Sequence, residues 1–327
     1  MQTQNTAAVT TNESAGDAVS RSGAKSATYN LVGVALAAAG AIAFSLRAIF
    51  VKLAYQDMSD PVTLLALRMI FSLPFLAIAA GLYLRSATNQ APLTRGDVLA
   101  LAGLGFIGYY LSSLLDMIGL QYVAAGIGRL LLFLYPTIVV IVSALALGKR
   151  ISRREVVALV ITYIGVGLVV SGQFGRPSPN FWLGAALVMC GAVTFSIYLV
   201  VGGEVVARLG TIRFTTYATL AASVYCILQF LLLRPFSALA LPLRVYELVF
   251  AMALFSTVLP LFMMAEALRR IGASRVAMIS SLGPAATVIS GYLGLDERMT
   301  IVQTIGGVLI VSGVLIVASH VRKQDAK

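Results

Sequence analysis

Three arginines of this chain stand where arginine is costly. Arg47, Arg68 and Arg129 each fall about six residues inside a long apolar run, roughly 9 Å deep at the 1.5 Å rise per residue of an α-helix. Asp116 lies close to the same level, on a helical face shared with Tyr109, Ser112 and Ser113. An arginine at mid-bilayer costs roughly 2.5 to 3.5 kcal/mol, less near the interface, so none of these side chains is expected to face lipid. They need partners. A guanidinium is a planar fork of donors that grips a carboxylate or phosphate through two hydrogen bonds, and three arginines against one aspartate leave a net positive level. The chemistry on offer is the holding of an anion. For Arg129 two roles are open: pairing with Asp116 or a helix-end carbonyl, or attraction of an anion into a permeation path. Arg47, on the face of Gly40, Ala43 and Phe44, carries the same two.

Bond-breaking chemistry has little material. His320 is the only histidine, and Cys190 and Cys226 both sit inside apolar runs without flanking ligands. Neither a histidine-based triad nor a metal site can be assembled, and no metal or cofactor is expected. The stretch GLGFIG at 103–108 matches a dinucleotide glycine pattern, but no strand precedes it, and close helix packing is its expected use. The protein is not read as an enzyme.

The elements that must carry the arginines follow from composition. Hydrophobic residues make up 59% of the 327 positions and charged residues 11%, about half the charged share of soluble domains. Segments of the length needed to span a bilayer occur ten times, at about 31–53, 62–84, 97–118, 123–145, 154–172, 180–203, 211–233, 245–267, 271–294 and 299–319. Residues 1–30 are polar and expected to be a disordered tail, with a second short tail at 321–327. With the N-terminus in the cytoplasm, inside segments hold 16 Lys and Arg against 5 outside, which places both termini in the cytoplasm. The net charge of +11 is accounted for by topology and anionic lipid, so no nucleic-acid partner is expected.

The chain repeats itself. A shift of 148 residues lays FLYPTIVVIVSALALGKRIS (133–152) on SLGPAATVISGYLGLDERMT (281–300), pairing Pro136 with Pro284 and Arg150 with Arg298. A shift of 151 aligns GVALAAAGAIAFS (33–45) with GAALVMCGAVTFS (184–196). Five helices per unit is odd, so the second unit enters the membrane upside down, an inverted repeat of the kind from which carriers build alternating access. The expected fold is an all-α polytopic membrane protein of ten transmembrane helices in a 5+5 inverted repeat, its units at 31–172 and 180–320.

These motifs, LYP and LGP in helices four and nine with LGKRIS and LDERMT after them, resemble the drug/metabolite transporter superfamily, EamA type. The resemblance covers residues 31 to 320. It implies a central cavity lined by helices one, three, four, six, eight and nine, with five and ten peripheral, and places Glu297 at a position where the family has such a residue. Helix two is outside that cavity, so a structural role is expected for Arg68. Lys149 departs from the usual glutamate after helix four, and Phe44-Ser45 from the Trp-Gly of helix one. The candidate cavity residues are Arg47, Arg129, Asp116, Tyr109, Phe44, Tyr198 and Ser280. Pro136 and Pro284, which lack an amide hydrogen, are candidate hinges, expected to free the carbonyls of Leu132 and Ser280. In helix nine Ala273, Ala277, Ser280, Pro284, Thr287 and Gly291 share one face, expected to line the cavity.

The function expected is a secondary carrier of the cytoplasmic (inner) membrane for small polar organic metabolites, amino-acid-like or carboxylate compounds, with export implied by the resemblance. The alternatives are an importer of a phosphorylated or nucleotide-linked solute and a non-transporting sensor or scaffold. Its partners are a small-molecule substrate and the lipid bilayer, with homodimer formation left open. The charge bias yields one direct test. A single cysteine placed at Ser152, in a background lacking Cys190 and Cys226, should react with an impermeant maleimide only after the cytoplasmic face is exposed, whereas one at Gln173 should react on intact cells. Labelling of residue 152 from outside contradicts the inverted arrangement.

Overall fold

A computed structural model of the protein describes residues 31–86, 93–148, 151–171, 179–271, 276, 279–280 and 282–324. The expected N-terminal tail, Lys149, Arg150, Gln173, Ala273 and Ala277 lie outside the described residues. Among the described residues every regular element is helical. Eight helices are long and apolar enough to cross a membrane, and two shorter apolar helices, Leu282–Leu295 and Ile301–Ile316, complete the ten expected segments.

In chain order these are α1 (Leu31–Ala54), α2 (Pro61–Ser86), α3 (Arg95–Gly119), α4 (Ala125–Leu132 and Tyr135–Leu147), α5 (Arg153–Ser171) and α6 (Phe181–Leu209). There follow α7 (Thr211–Leu233), α8 (Leu243–Ala253 and Leu259–Ile271), α9 (Leu282–Leu295) and α10 (Ile301–Gln324). The last helix runs through Gln324, past the expected end at 319, so most of the expected C-terminal tail is helical.

Local sequence explains where helices start. Thr94 and Asp97 cap α3 reciprocally: the Asp97 amide donates to Thr94 Oγ1 at 3.2 Å and the Thr94 amide to the Asp97 carboxylate at 2.9 Å. Ser152 and Glu155 do the same for α5, and Thr300 and Gln303 for α10, at positions that the 148-residue shift superimposes. Two equivalent helices therefore begin with the same device.

A second pairing was not legible in the sequence. Helix α3 contains a π-helical stretch at Gly105–Leu111 and α8 one at Leu254–Val258, at nearly the same offset. An extra residue per turn re-aims the side chains that follow, and such bulges gather at functional sites.

Helices α5 and α10 pack most extensively of all pairs, because glycines let their backbones meet. A Cβ at Gly165 would lie 2.6 Å from the Gly306 carbonyl oxygen, and one at Gly306 would lie 2.6 Å from that of Gly165. The opposite side of α5 exposes Val156, Val157, Val160 and Ile164, an apolar face suited to acyl chains.

Helix α4 is interrupted rather than merely kinked. After Leu132 the chain makes a turn at Phe133 and Leu134, where the Leu134 amide reaches back to the Leu131 carbonyl at 3.1 Å. Pro136 then sits in the first turn of the next piece, where its missing N–H breaks no bond within that piece but leaves the Leu132 carbonyl without an i+4 amide. Pro284, the residue that the 148-residue shift pairs with Pro136, lies within α9. The break falls at Leu132, whose carbonyl Pro136 was expected to free, and the Tyr135 carbonyl beside it accepts from Ser196 Oγ of α6 at 3.1 Å.

Candidate functional site

At the centre of the bundle lies a cavity of about 530 Å³, walled by residues of α1 to α4 and α6 to α8 together with Ser280 ahead of α9. No described residue of α5 or α10 reaches it. Those two helices are thus outside the site, as the resemblance implied, while α2 and α7 join the wall.

One end of the cavity is cationic. Arg47, Arg68 and Arg129 all line it, brought together from α1, α2 and α4. The Arg47 guanidinium is bound to the Asp116 carboxylate at 2.5 Å, with the two side chains 14% and 5% exposed. Arg68 is only 2% exposed, and the buried Nε atoms of both Arg68 and Arg129 have no hydrogen-bond partner. The charge of Arg47 acts on both. An unmet donor on a buried cation costs about 1 to 3 kcal/mol or more, so these two guanidinium groups are poised for an acceptor.

The rest of the wall is aromatic and hydroxylic. Tyr135, Phe195, Tyr198 and Phe214 form a ladder of rings with centroids 5.3, 5.7 and 5.5 Å apart, and Tyr109 meets Tyr198 edge-on at 5.3 Å. The Tyr198 ring lies directly on α3 at Gly108, where a Cβ would stand 2.2 Å from its Cγ. The glycine of GLGFIG therefore serves helix packing, as the sequence suggested, and the ring it admits is a cavity wall. Ser112, Ser113, Thr215, Thr219, Ser256 and Thr257 add hydroxyls. The last two belong to the π-helical stretch of α8, and Tyr109 to that of α3. Helical period had already put Tyr109 on a face with Ser112 and Ser113, whereas Ser256 and Thr257 were not singled out by it.

Six of the seven expected site residues, Phe44, Arg47, Tyr109, Arg129, Tyr198 and Ser280, line this one cavity. Asp116 does not. It stands behind Arg47 and is its partner, so the alternative in which Asp116 pairs with Arg129 is corrected. Arg68, expected to be structural, lines the cavity because α2 packs on α7 and turns its buried face inward. Of the described residues of the expected small-residue face of α9, Ser280 lines the cavity and Pro284, Thr287 and Gly291 do not. The Thr287 hydroxyl donates to the Ser45 carbonyl of α1 at 3.2 Å, and Gly291 packs near Glu297. Gly283 makes space for an arginine. A Cβ there would come within 2.8 Å of Ser45 Oγ and 3.1 Å of Arg129 Nη2, so the glycine of LGP leaves room for the guanidinium.

The bundle end nearest the arginines is tied shut across the sequence. The Glu297 carboxylate accepts from the amides of Ala125 and Gly126 at 3.0 and 3.4 Å, capping α4 from the other half of the chain. Arg234, at the end of α7, grips Asp60 through Nε at 2.8 Å and Nη2 at 2.9 Å, while Asp60 also caps α2 through Thr63. Burial alone would push the Asp60 carboxyl up, but the hydrogen bonds from Arg234 and Thr63 outweigh it and hold the group below the usual carboxylate range. At the opposite end Asp97 pairs with Arg208, joining α3 to α6.

The Arg47–Asp116 pair has a measurable consequence. Asp116→Asn leaves a third guanidinium without a counter-ion in a largely buried place, and should lower stability in detergent by about 3 to 5 kcal/mol. The double change Arg47→Gln with Asp116→Asn removes both charges and should recover most of that loss in thermal unfolding. Equal stability of the single and double variants contradicts the pairing.

Comparison with known proteins bears on what such a bundle is. The profile of the EamA-like transporter family matches residues 31–171 and again 182–319. An uncharacterized transporter of Bacillus subtilis (strain 168), YcbK, is 30% identical over 272 residues, covering 82% of this chain and 86% of that protein. An uncharacterized transporter of Archaeoglobus fulgidus is 27% identical over 288 residues, covering 86% and 99%. A crystal structure at 18% identity superimposes with a TM-score of 0.57 over 92% of this chain and 99% of that one, a likeness of fold. With the family profile matched twice across a multi-pass helical bundle, this protein belongs to the EamA-like transporter family.

Proposed function

We propose that the protein is a secondary carrier of the cytoplasmic membrane for a small organic metabolite bearing an acidic group, amino-acid-like or carboxylate, moved by alternating access. The observation that carries this reading is the central cavity of about 530 Å³, with three guanidinium groups at one end and two buried Nε atoms unmet. Cavities of roughly 300 to 1,000 Å³ suit small molecules. A solute carboxylate or phosphate would satisfy Arg68 and Arg129, while the aromatic ladder covers its carbon body.

In this reading the residues of 31–172 and 180–320 act as two inverted halves, both termini being cytoplasmic, and rock about the central site. Contacts that join the halves at opposite ends suit such rocking. Glu297 on the α4 N-terminus and Asp60 with Arg234 close the end nearest the arginines, and Asp97 with Arg208 spans the other. These latches would open in turn. The break of α4 before Pro136 supplies a joint between its arginine-bearing piece and the rest, and the repeat pairs Pro136 with Pro284 of α9. Export is the direction that the family resemblance implies.

Flux into and out of liposomes tests both parts. Arg129→Gln should weaken handling of an acidic solute by about 10- to 150-fold, the equivalent of roughly 1.5 to 3 kcal/mol for a lost charge-assisted hydrogen bond. Arg129→Lys should rescue only in part, since an ammonium lacks the planar fork. Unchanged flux in Arg129→Gln contradicts the binding role.

The joint makes a separate prediction. Pro136→Ala restores a possible amide donor at the break and should slow exchange while leaving thermal stability near that of the unchanged protein. Exchange at the normal rate in both Pro136→Ala and Pro284→Ala assigns the prolines to packing instead.

A further inference from the structure

The charge content of the cavity narrows the solute further, on the carrier reading given above. Its charged lining residues are Arg47, Arg68 and Arg129, and no aspartate or glutamate appears among the described lining residues. Asp116, the acid bound to the trio, is already engaged by Arg47 and only 5% exposed at its side chain. The formal charge of the four groups together is therefore two positive. At side chains as buried as that of Arg68 this excess is unfavourable unless a ligand neutralises it, because buried charges persist only when paired.

Three properties of the ligand follow. It carries two negative charges, matching the two guanidinium groups whose buried Nε atoms are unmet. It carries no ammonium group, since a cation would meet only arginines at that end and, among the described lining residues, no free carboxylate to hold it. It has an apolar, preferably flat body, because the remaining wall is the ring ladder from Tyr135 through Phe195 and Tyr198 to Phe214. We propose that the cavity is built for an organic dianion, two acidic groups on an aryl or other apolar body without an amino group, with Arg68 and Arg129 each taking one negative charge and Arg47 remaining on Asp116.

This assigns Arg68 a direct role that its position in α2 would not suggest. It also separates the solute from amino acids of the same size. An amino acid has one carboxylate to offer and brings a positive charge into a site already positive, so desolvating its ammonium there is uncompensated.

A matched series of ligands with a common phenyl group tests the assignment on the purified, unmodified protein. Phenylsuccinate has two carboxylates, 3-phenylpropionate keeps one, phenylalanine adds an ammonium to that one, and phenyl phosphate supplies a dianion of different chemistry. Half-maximal concentrations for thermal stabilisation in detergent, and for flux in liposomes, are measured for each. At a pH where both acids are ionised, phenylsuccinate should bind at least about tenfold more tightly than 3-phenylpropionate, the low end of the effect of one charge-assisted hydrogen bond. Phenylalanine should bind no better than 3-phenylpropionate. A response to phenyl phosphate above that to phenylsuccinate assigns the second charge to a phosphoryl group, and the reverse order to a second carboxylate; both keep the dianion.

Two results overturn the proposal. If 3-phenylpropionate or phenylalanine binds as tightly as the dianions and is transported, the carrier reading stands and the dianion assignment falls. If no member stabilises the protein or crosses the liposome membrane, both fall. Arg68→Gln adds a readout that a purely structural role would not move: the preference for phenylsuccinate over 3-phenylpropionate should collapse toward unity while 3-phenylpropionate, held by Arg129, binds nearly as before. Should that variant fail to fold, the series on the unmodified protein still decides.

Discussion

Everything at the centre of this bundle answers to one constraint: a guanidinium cannot sit at membrane depth without something to neutralise it. Lipid offers no acceptor, and effective screening inside the protein is weak. Arg47, Arg68 and Arg129 are therefore drawn into one cavity, where their shared charge is opposed by Asp116 alone among the acids bound to them. The surrounding backbone is shaped to admit them. Gly283 stands aside for Arg129, and Gly108 lets the Tyr198 ring close against α3. A methyl group at either place would displace a side chain of the cavity wall, so these glycines are packing requirements of the site rather than loose points in the helices.

The same constraint governs the helices themselves. Interrupted helices are tolerated in a membrane only where protein or water meets the backbone groups they release. Around the interrupted α4 several groups are met, the Leu134 amide by the Leu131 carbonyl, the Tyr135 carbonyl by Ser196 and the N-terminal amides of Ala125 and Gly126 by Glu297. The π-helical stretches of α3 and α8 fall beside the cavity and nowhere else among the described residues, so irregular backbone and solvent-accessible interior coincide. The regular, glycine-packed pair α5 and α10 stands outside and carries none of it. The regular α5 and α10 thus lie at the periphery, and the irregular α3, α4 and α8 at the wall of the cavity.

The sequence alone determined a great deal, wherever the property depends on composition or on spacing along the chain. Ten apolar segments follow from length and hydropathy, and the capping residues Ser152 with Glu155 and Thr300 with Gln303 act within one helical turn. The family was legible because its motifs are short contiguous strings, and Arg47 and Arg129 were singled out by asking which charged groups a bilayer would not accept, while helix faces and the repeat pointed to Phe44, Tyr109, Tyr198 and Ser280, all six of which line the cavity. What only the tertiary structure decided were the relations between segments distant in sequence. Asp116 could have answered Arg129 or Arg47, since both lie at its depth; the rotation of α1 against α3 selected Arg47. Arg68 entered the cavity because α2 packs on α7, a neighbour relation that no pattern within α2 encodes. The π-helical stretches break the 3.6-residue period on which face assignments rest, so Ser256 and Thr257 came to the wall unannounced. Depth in the membrane is a one-dimensional property and can be counted along a chain, whereas which side chain meets which across a bundle is set by helix rotation and packing in three dimensions.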